Sequence, residues 1–256
     1  MLRVVKIGGN VINDDVKLKG FLKEFASLDG EKILVHGGGR EATELSKTLG
    51  IETKMIDGRR VTDKETLDVV TMVYAGLINK RIVSILQNFG CDAMGFTGAD
   101  GGLIPAKRRS PKPVDYGYVG DIIAQDIKSD TILKLTMSGV VPVFCAICHE
   151  PGGTLLNCNA DSVASAIAQA CAMKTDTRLV YCFEKSGVLS DPEDDSSVIP
   201  VITGEIFDDF VKTGKITGGM IPKVTNALNA INKGVKEVVI CNAEELLLNK
   251  GTSIRE

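Results

Sequence analysis

The sequence predicts an α/β protein, a three-layer αβα sandwich around a mostly parallel central sheet. Short β-branched runs alternate with segments of helical periodicity, which is the pattern of parallel strands whose crossovers cover both faces of a sheet. The runs Val4 to Ile7, Ile33 to Val35, Val140 to Cys145, Leu179 to Cys182 and Val238 to Cys241 are apolar nearly throughout, as strands buried on both faces must be. From Ile33 to Leu45 one such strand runs through Gly37, Gly38 and Gly39 directly into a helix. Ligands of such sheets gather at these junctions, beyond the carboxyl ends of the strands.

At 256 residues the chain buries roughly three quarters of its unfolded surface, so it needs neither disulfide nor metal to hold a core. The first strand, Leu2 to Ile7, is interrupted by Lys6 and followed by Gly8 and Gly9. An ammonium buried at a strand end without a partner is costly, so Lys6 either faces an anion or carboxylate or snorkels to solvent. The glycines at 37 to 39 put no side chain between backbone and ligand, and their N–H groups with the following helix N-terminus can cradle a phosphate. A tight strand-to-helix turn would need the same residues.

Asp57-Gly58 is expected as a hairpin turn, and Thr62 with Glu65 as a capping box opening a helix near Asp63, which leaves Arg59 and Arg60 between turn and helix. The helical region Thr66 to Leu86 is apolar on more faces than one sheet can cover, so it is expected to meet a second apolar partner or to lie between lobe and loops. Gly95 to Gly102 and Tyr116 to Gly120 suggest exposed hairpins over the sheet edge. Lys107, Arg108, Arg109 and Lys112 between them are expected as a solvated cluster. The seven cysteines are scattered among apolar neighbours, as reduced core thiols are. Cys145 and Cys148 lack the second ligand pair a metal site would want, so no metal ligand is assigned.

Asn157, Asn159 and Asp161 precede or open an Ala-rich helix, where they can cap it or face a ligand. Asp161 could also pair with lysines. After Ala172 the pattern restarts, which sets a soft boundary near residue 175 between lobes expected to share the sheet. Gly218, Gly219 and Pro222 then lead into a helix whose first turn carries Lys223, a cation opposing the macrodipole unless a polyanion binds there. With Lys+Arg 30 against Asp+Glu 33 the net charge is −3, and no basic run with interleaved aromatics suggests nucleic acid. The chain enters its first strand without a basic, apolar leader, and no apolar run approaches the ~20 residues of a span, so a cytosolic protein with small-molecule partners and no membrane contact is expected.

Taken together and in order, Val-Val-Lys6-Ile-Gly8-Gly9, Val-His36-Gly37-Gly38-Gly39, Gly58-Arg59-Arg60-Val-Thr62, Leu-Asn157-Cys-Asn159-Ala-Asp161 and Gly218-Gly219-Met220-Ile-Pro-Lys223 resemble the amino acid kinase superfamily. Within it they are most similar to the N-acetylglutamate kinases. The resemblance spans nearly the whole chain. It implies an αβα sandwich of amino acid kinase type and phosphoryl transfer from ATP, with Mg2+ held mainly through nucleotide phosphates, to the side-chain carboxylate of an N-acylated glutamate. Lys6 and Lys223 would neutralise the moving phosphoryl, Asp161 would orient them, and Gly9, Gly38 and Gly39 would donate backbone N–H groups. Gly38, Gly39, Arg60, Asn157 and Asn159 would hold the acyl-glutamate. Lys6, Ser186, Gly187, Gly219 and Lys223 would hold the nucleotide.

The resemblance further implies a lobe at 1–175 for acyl-glutamate binding and dimerisation, and a lobe at 176–256 for ATP. It also implies a homodimer that is insensitive to arginine, since the first strand begins at Leu2 without the helix that links arginine-inhibited relatives into rings. In one stretch the chain departs from the family: Phe183-Glu184-Lys185-Ser186-Gly187-Val188 stands where relatives carry Thr-Asp-Val-Pro-Gly-Val or close to it. The acidic stretch Asp191 to Asp195 that follows is expected to be solvated. Other readings are an N-succinylglutamate kinase, another superfamily member acting on carbamate, aspartate or a nucleoside monophosphate, and a catalytically silent sensor. A dinucleotide-binding dehydrogenase ranks lower, because no G-x-G-x-x-G follows the first strand.

Overall fold

The computed structural model describes residues 1–256 apart from Pro192, Thr217, Gly219 and Asn249. Its frame is one sheet of eight strands: β1 Leu2–Ile7, β2 Lys32–His36, β3 Ala93–Phe96, β4 Val141–Cys145, β5 Thr177–Phe183, β6 Val201–Ile202, β7 Glu237–Asn242 and β8 Thr252–Ile254. They lie side by side in the order β6-β8-β7-β5-β1-β2-β4-β3. Neighbours run parallel except β7 with β8, which pair antiparallel through Val238 and Ile254. The β-branched runs become strands because both faces are covered, and β2 is buried along its whole length.

Chain order explains where a ligand can sit. After β1 the chain adds β2, β3 and β4 on one side, β4 inserting between β2 and the edge strand β3, and from β5 onward it builds on the other. The sheet therefore reverses direction around β1, and the crevice beyond the carboxyl ends of β1, β2 and β5 is the expected site. Lys6, His36 and Phe183 all lie at or next to those ends.

The longer helices are α1 Asp15–Ser27, α2 Gly39–Thr48, α3 Lys64–Asn88, α4 Ser129–Met137, α5 Ala160–Ala172, α6 Gly204–Lys212 and α7 Met220–Ile231. In α3 the middle, Met72–Ile78, is wound as a π-helix, a form that often marks functional sites. By length and composition this 25-residue helix could cross a membrane, which the residue pattern had not suggested. Its Val69, Val70, Val73, Ile78, Ile82 and Leu86 are instead buried in the core.

One local expectation changes. The helix cap is Asp63, which accepts from the Thr66 amide at 2.8 Å, and Thr62 with Glu65 forms no capping box. Thr62 Oγ1 is drawn elsewhere, donating to the Arg60 carbonyl at 3.0 Å. The basic cluster is solvated as expected at Lys107, Arg108 and Lys112, and only Arg109 is half-buried, pairing with Asp121 and lying over Tyr116, while Arg108 lies 4.4 Å from the Tyr118 ring. These contacts clamp the hairpin Ala106–Arg108 and Gly120–Ile122. The hairpin turn at Asp57-Gly58 is present, with φ of 49° and 73° as a tight turn between paired strands requires. All seven cysteines are free and buried, and burial pushes the Cys145 thiol up to about 12.

Candidate active site

Two cavities open at the strand ends. The first, of about 200 Å³, is lined by Gly37, Gly38 and Gly39, by Arg59 and Arg60 of the hairpin, by Tyr74, and by Asn157 to Ala160. The N-termini of α2 and α5 both open on it, so backbone N–H groups and two helix dipoles favour an anion there. Gly38 is required by its conformation and surroundings: its φ is 153°, and a Cβ would lie 2.2 Å from Ile78 Cδ1. The π-helical turn of α3 thus presses Ile78 and Tyr74 against the glycine loop.

Arg60 is buried in this wall. Its guanidinium donates to the Gly39 carbonyl at 2.8 Å, to Thr43 Oγ1 at 2.8 Å and to Thr53 Oγ1 at 3.2 Å. All three acceptors are neutral. Among the described residues no carboxylate pairs with Arg60, so its charge is fixed in place and available to an anionic ligand. Asn157 Nδ2 donates to Thr62 Oγ1 at 3.0 Å, and Thr62 holds the Arg60 backbone, so Asn157 both lines the cavity and ties the hairpin down. Asn159 caps α5 by accepting from the Ser162 amide at 3.1 Å and lines the same cavity.

Beneath the glycine loop lies a network that sequence reading missed. His36 is fully buried, its Nδ1 2.8 Å from the Gly37 carbonyl and its Nε2 3.0 Å from Asn79 Nδ2. The carbonyl can only accept and the amide NH2 can only donate, so the ring is a neutral tautomer protonated on Nδ1. Burial lowers its pKa to about 4. Asn79 Nδ2 also reaches the Val143 carbonyl at 3.0 Å, linking α3 to β4. The one available signal was a polar residue in an apolar helical stretch.

The second cavity, of about 340 Å³, is lined by Lys6, Gly8, Gly9, Asn10, Phe183, Glu184, Lys185, Gly187, Met220 and Lys223 among others. Lys6, buried, pairs with Asp161 at 2.7 Å. Lys223 approaches from the first turn of α7 and rests 4.0 Å from the centroid of the Phe183 ring. Burial lowers its pKa, opposed by the Asp161 charge and reinforced by Lys6. Asp161 therefore contacts Lys6 directly and reaches Lys223 only through its field. Asn10 Nδ2 donates to Glu184 at the cavity mouth. Gly187 lines the cavity and cannot carry a side chain, since a Cβ would lie 2.7 Å from Thr252 Oγ1. Ser186 follows Lys185 in this loop but is not part of the lining, and Gly219 lies outside the described residues.

The arrangement places a fixed guanidinium and two helix N-termini in one cavity and two ammonium groups with glycine turns in the next, with Lys6 and Asp161 near the junction. That is a device for positioning two anions and neutralising charge between them.

Known proteins share the frame. The amino acid kinase family profile matches residues 1–242. The acetylglutamate kinase of Bacteroides thetaiotaomicron is 49% identical over 255 residues, covering 100% of this chain and 98% of its own. That of Methanopyrus kandleri is 39% identical, covering 99% and 100%. The crystal structure of smu.665 from Streptococcus mutans UA159 superposes with a TM-score of 0.78 at 27% identity, covering 99% of this chain and 98% of that one. The motifs, the sheet and these similarities agree: the chain belongs to the amino acid kinase family.

Proposed function

We propose that the chain is an acetylglutamate kinase, transferring the γ-phosphoryl group of ATP to the side-chain carboxylate of N-acetyl-L-glutamate and giving an acyl phosphate for arginine biosynthesis. The observation that carries this is Arg60, a buried guanidinium held only by neutral acceptors beside two helix N-termini. It suits the α-carboxylate of an amino acid whose amine is masked. Relatives that share nearly the whole chain carry the same activity in name.

The chemistry follows from the residues. A side-chain carboxylate is ionised at neutral pH, so no general base is needed. Its oxygen attacks the γ-phosphorus while the bond to the ADP oxygen breaks. Lys6 and Lys223 neutralise the charge on the moving group, Asp161 holds Lys6, and Gly8, Gly9 and Gly38 let the phosphates approach the backbone. Magnesium would enter on the nucleotide phosphates, where it lowers their charge.

Residues 1–175 would bind the acyl-glutamate and pair two copies, and 176–256 would bind ATP. Met72 and Leu77, 54% and 58% exposed on α3, support a homodimer through that helix. The expected location is the cytoplasm. A second reading, N-succinyl-L-glutamate, is supported by Arg59: its half-buried guanidinium lines both the first cavity and a polar one of about 400 Å³ beyond it, and makes no ion pair among the described residues. A coupled ADP-release assay with each acyl-glutamate tests both. ADP release with neither would overturn the kinase reading, and faster turnover of the succinyl compound would move the substrate to the second.

A further inference from the structure

Among the described residues the second cavity holds two ammonium groups and one carboxylate, Asp161, in contact with either; Glu184, in its lining, bonds Asn10 and acts on Lys223 only through its field. Lys6 has Asp161 at 2.7 Å, whereas Lys223 has no ion pair among the described residues. Two like charges sharing a half-buried pocket repel, and a long lysine side chain left to itself would swing toward solvent. What faces both is an aromatic ring. Phe183 lies 4.0 Å from Lys223 Nζ and 5.2 Å from Lys6 Nζ, measured to the ring centroid.

The ring is itself held. Phe183 ends β5, and Tyr181, two residues earlier on the same strand face, stacks against it with centroids 6.1 Å apart and an interplanar angle of 22°. The Tyr181 hydroxyl donates to the Asp161 backbone carbonyl at 3.2 Å. One strand thus supports the carboxylate and the ring together.

We propose that Phe183 is a positioning residue for phosphoryl transfer, a cation–π seat that holds the Lys223 and Lys6 ammonium groups at the phosphate site without neutralising them. The inference rests on the kinase reading of that site. A carboxylate in place of the ring would hold Lys223 more tightly but would cancel the charge meant for the phosphoryl group. The negative face of a ring attracts a cation through its quadrupole and leaves its full charge in place.

The test replaces Phe183 with mono-, di- and trifluorophenylalanine, which keep the shape of the ring while draining its face of negative potential. The kcat is expected to fall stepwise, reaching roughly 10-fold in the trifluoro protein, with little change in KM for N-acetylglutamate. Phe183→Leu should fall about as far, and Phe183→Trp should retain most of the activity. Equal kcat across the fluorinated series would overturn the proposal and reduce Phe183 to packing, whatever Phe183→Leu does to folding. Should Lys6→Ala and Lys223→Ala also turn over normally, the kinase mechanism itself fails. If only the fluorinated series is flat, the seat alone fails.

Discussion

The two cavities hold their cations in opposite ways. Arg60 is gripped by three neutral oxygens in a buried wall and can hardly move. Lys6 and Lys223 are mobile by nature, and they are restrained by one carboxylate and one aromatic face. A rigid planar fork suits a carboxylate that is the same before and after reaction, so Arg60 belongs to binding. Two ammonium groups on flexible stems can follow a phosphoryl group as its charge shifts, so the lysines belong to the transition state. Mutating each side should therefore move different kinetic constants.

The largest effect is expected on the lysine side. Lys6→Ala and Lys223→Ala should each lower kcat by roughly 100-fold or more with the fold intact, because each removes stabilisation that is greatest in the transition state. Asp161→Asn should act mainly through Lys6, its contact partner, and less through Lys223. Steady-state kinetics on the three purified proteins checks this, and near-normal turnover in all of them would remove the distinction between the cavities.

The arginine side sharpens the comparison. Arg60→Lys should raise KM for the acyl-glutamate roughly 10-fold or more, since an ammonium cannot reproduce a bidentate fork, while KM for ATP moves little. A collapse in nucleotide affinity instead would place Arg60 in the wrong cavity.

The same contrast separates what the sequence displays from what it hides. Lys6, Lys223 and Arg60 are legible because a charge in an apolar strand, in a helix first turn or after a hairpin turn breaks the local pattern. Gly38 is legible for the same kind of reason, and the structure adds Ile78 as what its missing side chain would strike. The parallel sheet follows from uninterrupted apolar runs. Phe183, Tyr181 and Asn79 were not legible. An aromatic ending an apolar strand reads as core, and only the fold brings Lys6 from β1 and Lys223 from α7 onto its ring. Thr62 misled for a related reason: a Thr three residues before a Glu satisfies the capping pattern, yet its hydroxyl is taken by Arg60 and Asn157.

The last prediction tests the floor of the first cavity rather than its walls, and it reads stability instead of turnover. His36 has a pKa of about 4 in the fold against an ordinary 6.5, because burial penalises its charged form. A second proton would also point at the Asn79 NH2 group, a donor facing a donor. Between those two values the unfolded chain binds a proton that the folded protein does not, so stability is full above pH 6.5 and falls as pH drops toward 4. The slope is at most about 1.4 kcal/mol per pH unit, or about 3 kcal/mol across the window. Asp63, Asp130, Asp176 and Asp194, held below 3.8 in the fold, begin to lose their contributions only toward the lower edge of this window, and do so alike in wild type and in His36→Gln. Urea titrations from pH 7 to 4.5 should show that decline in the wild-type protein and a flatter profile in His36→Gln, which starts less stable but has no imidazole to charge. Parallel slopes in the two proteins would mean that the glycine loop rests on something other than a neutral, doubly bonded His36.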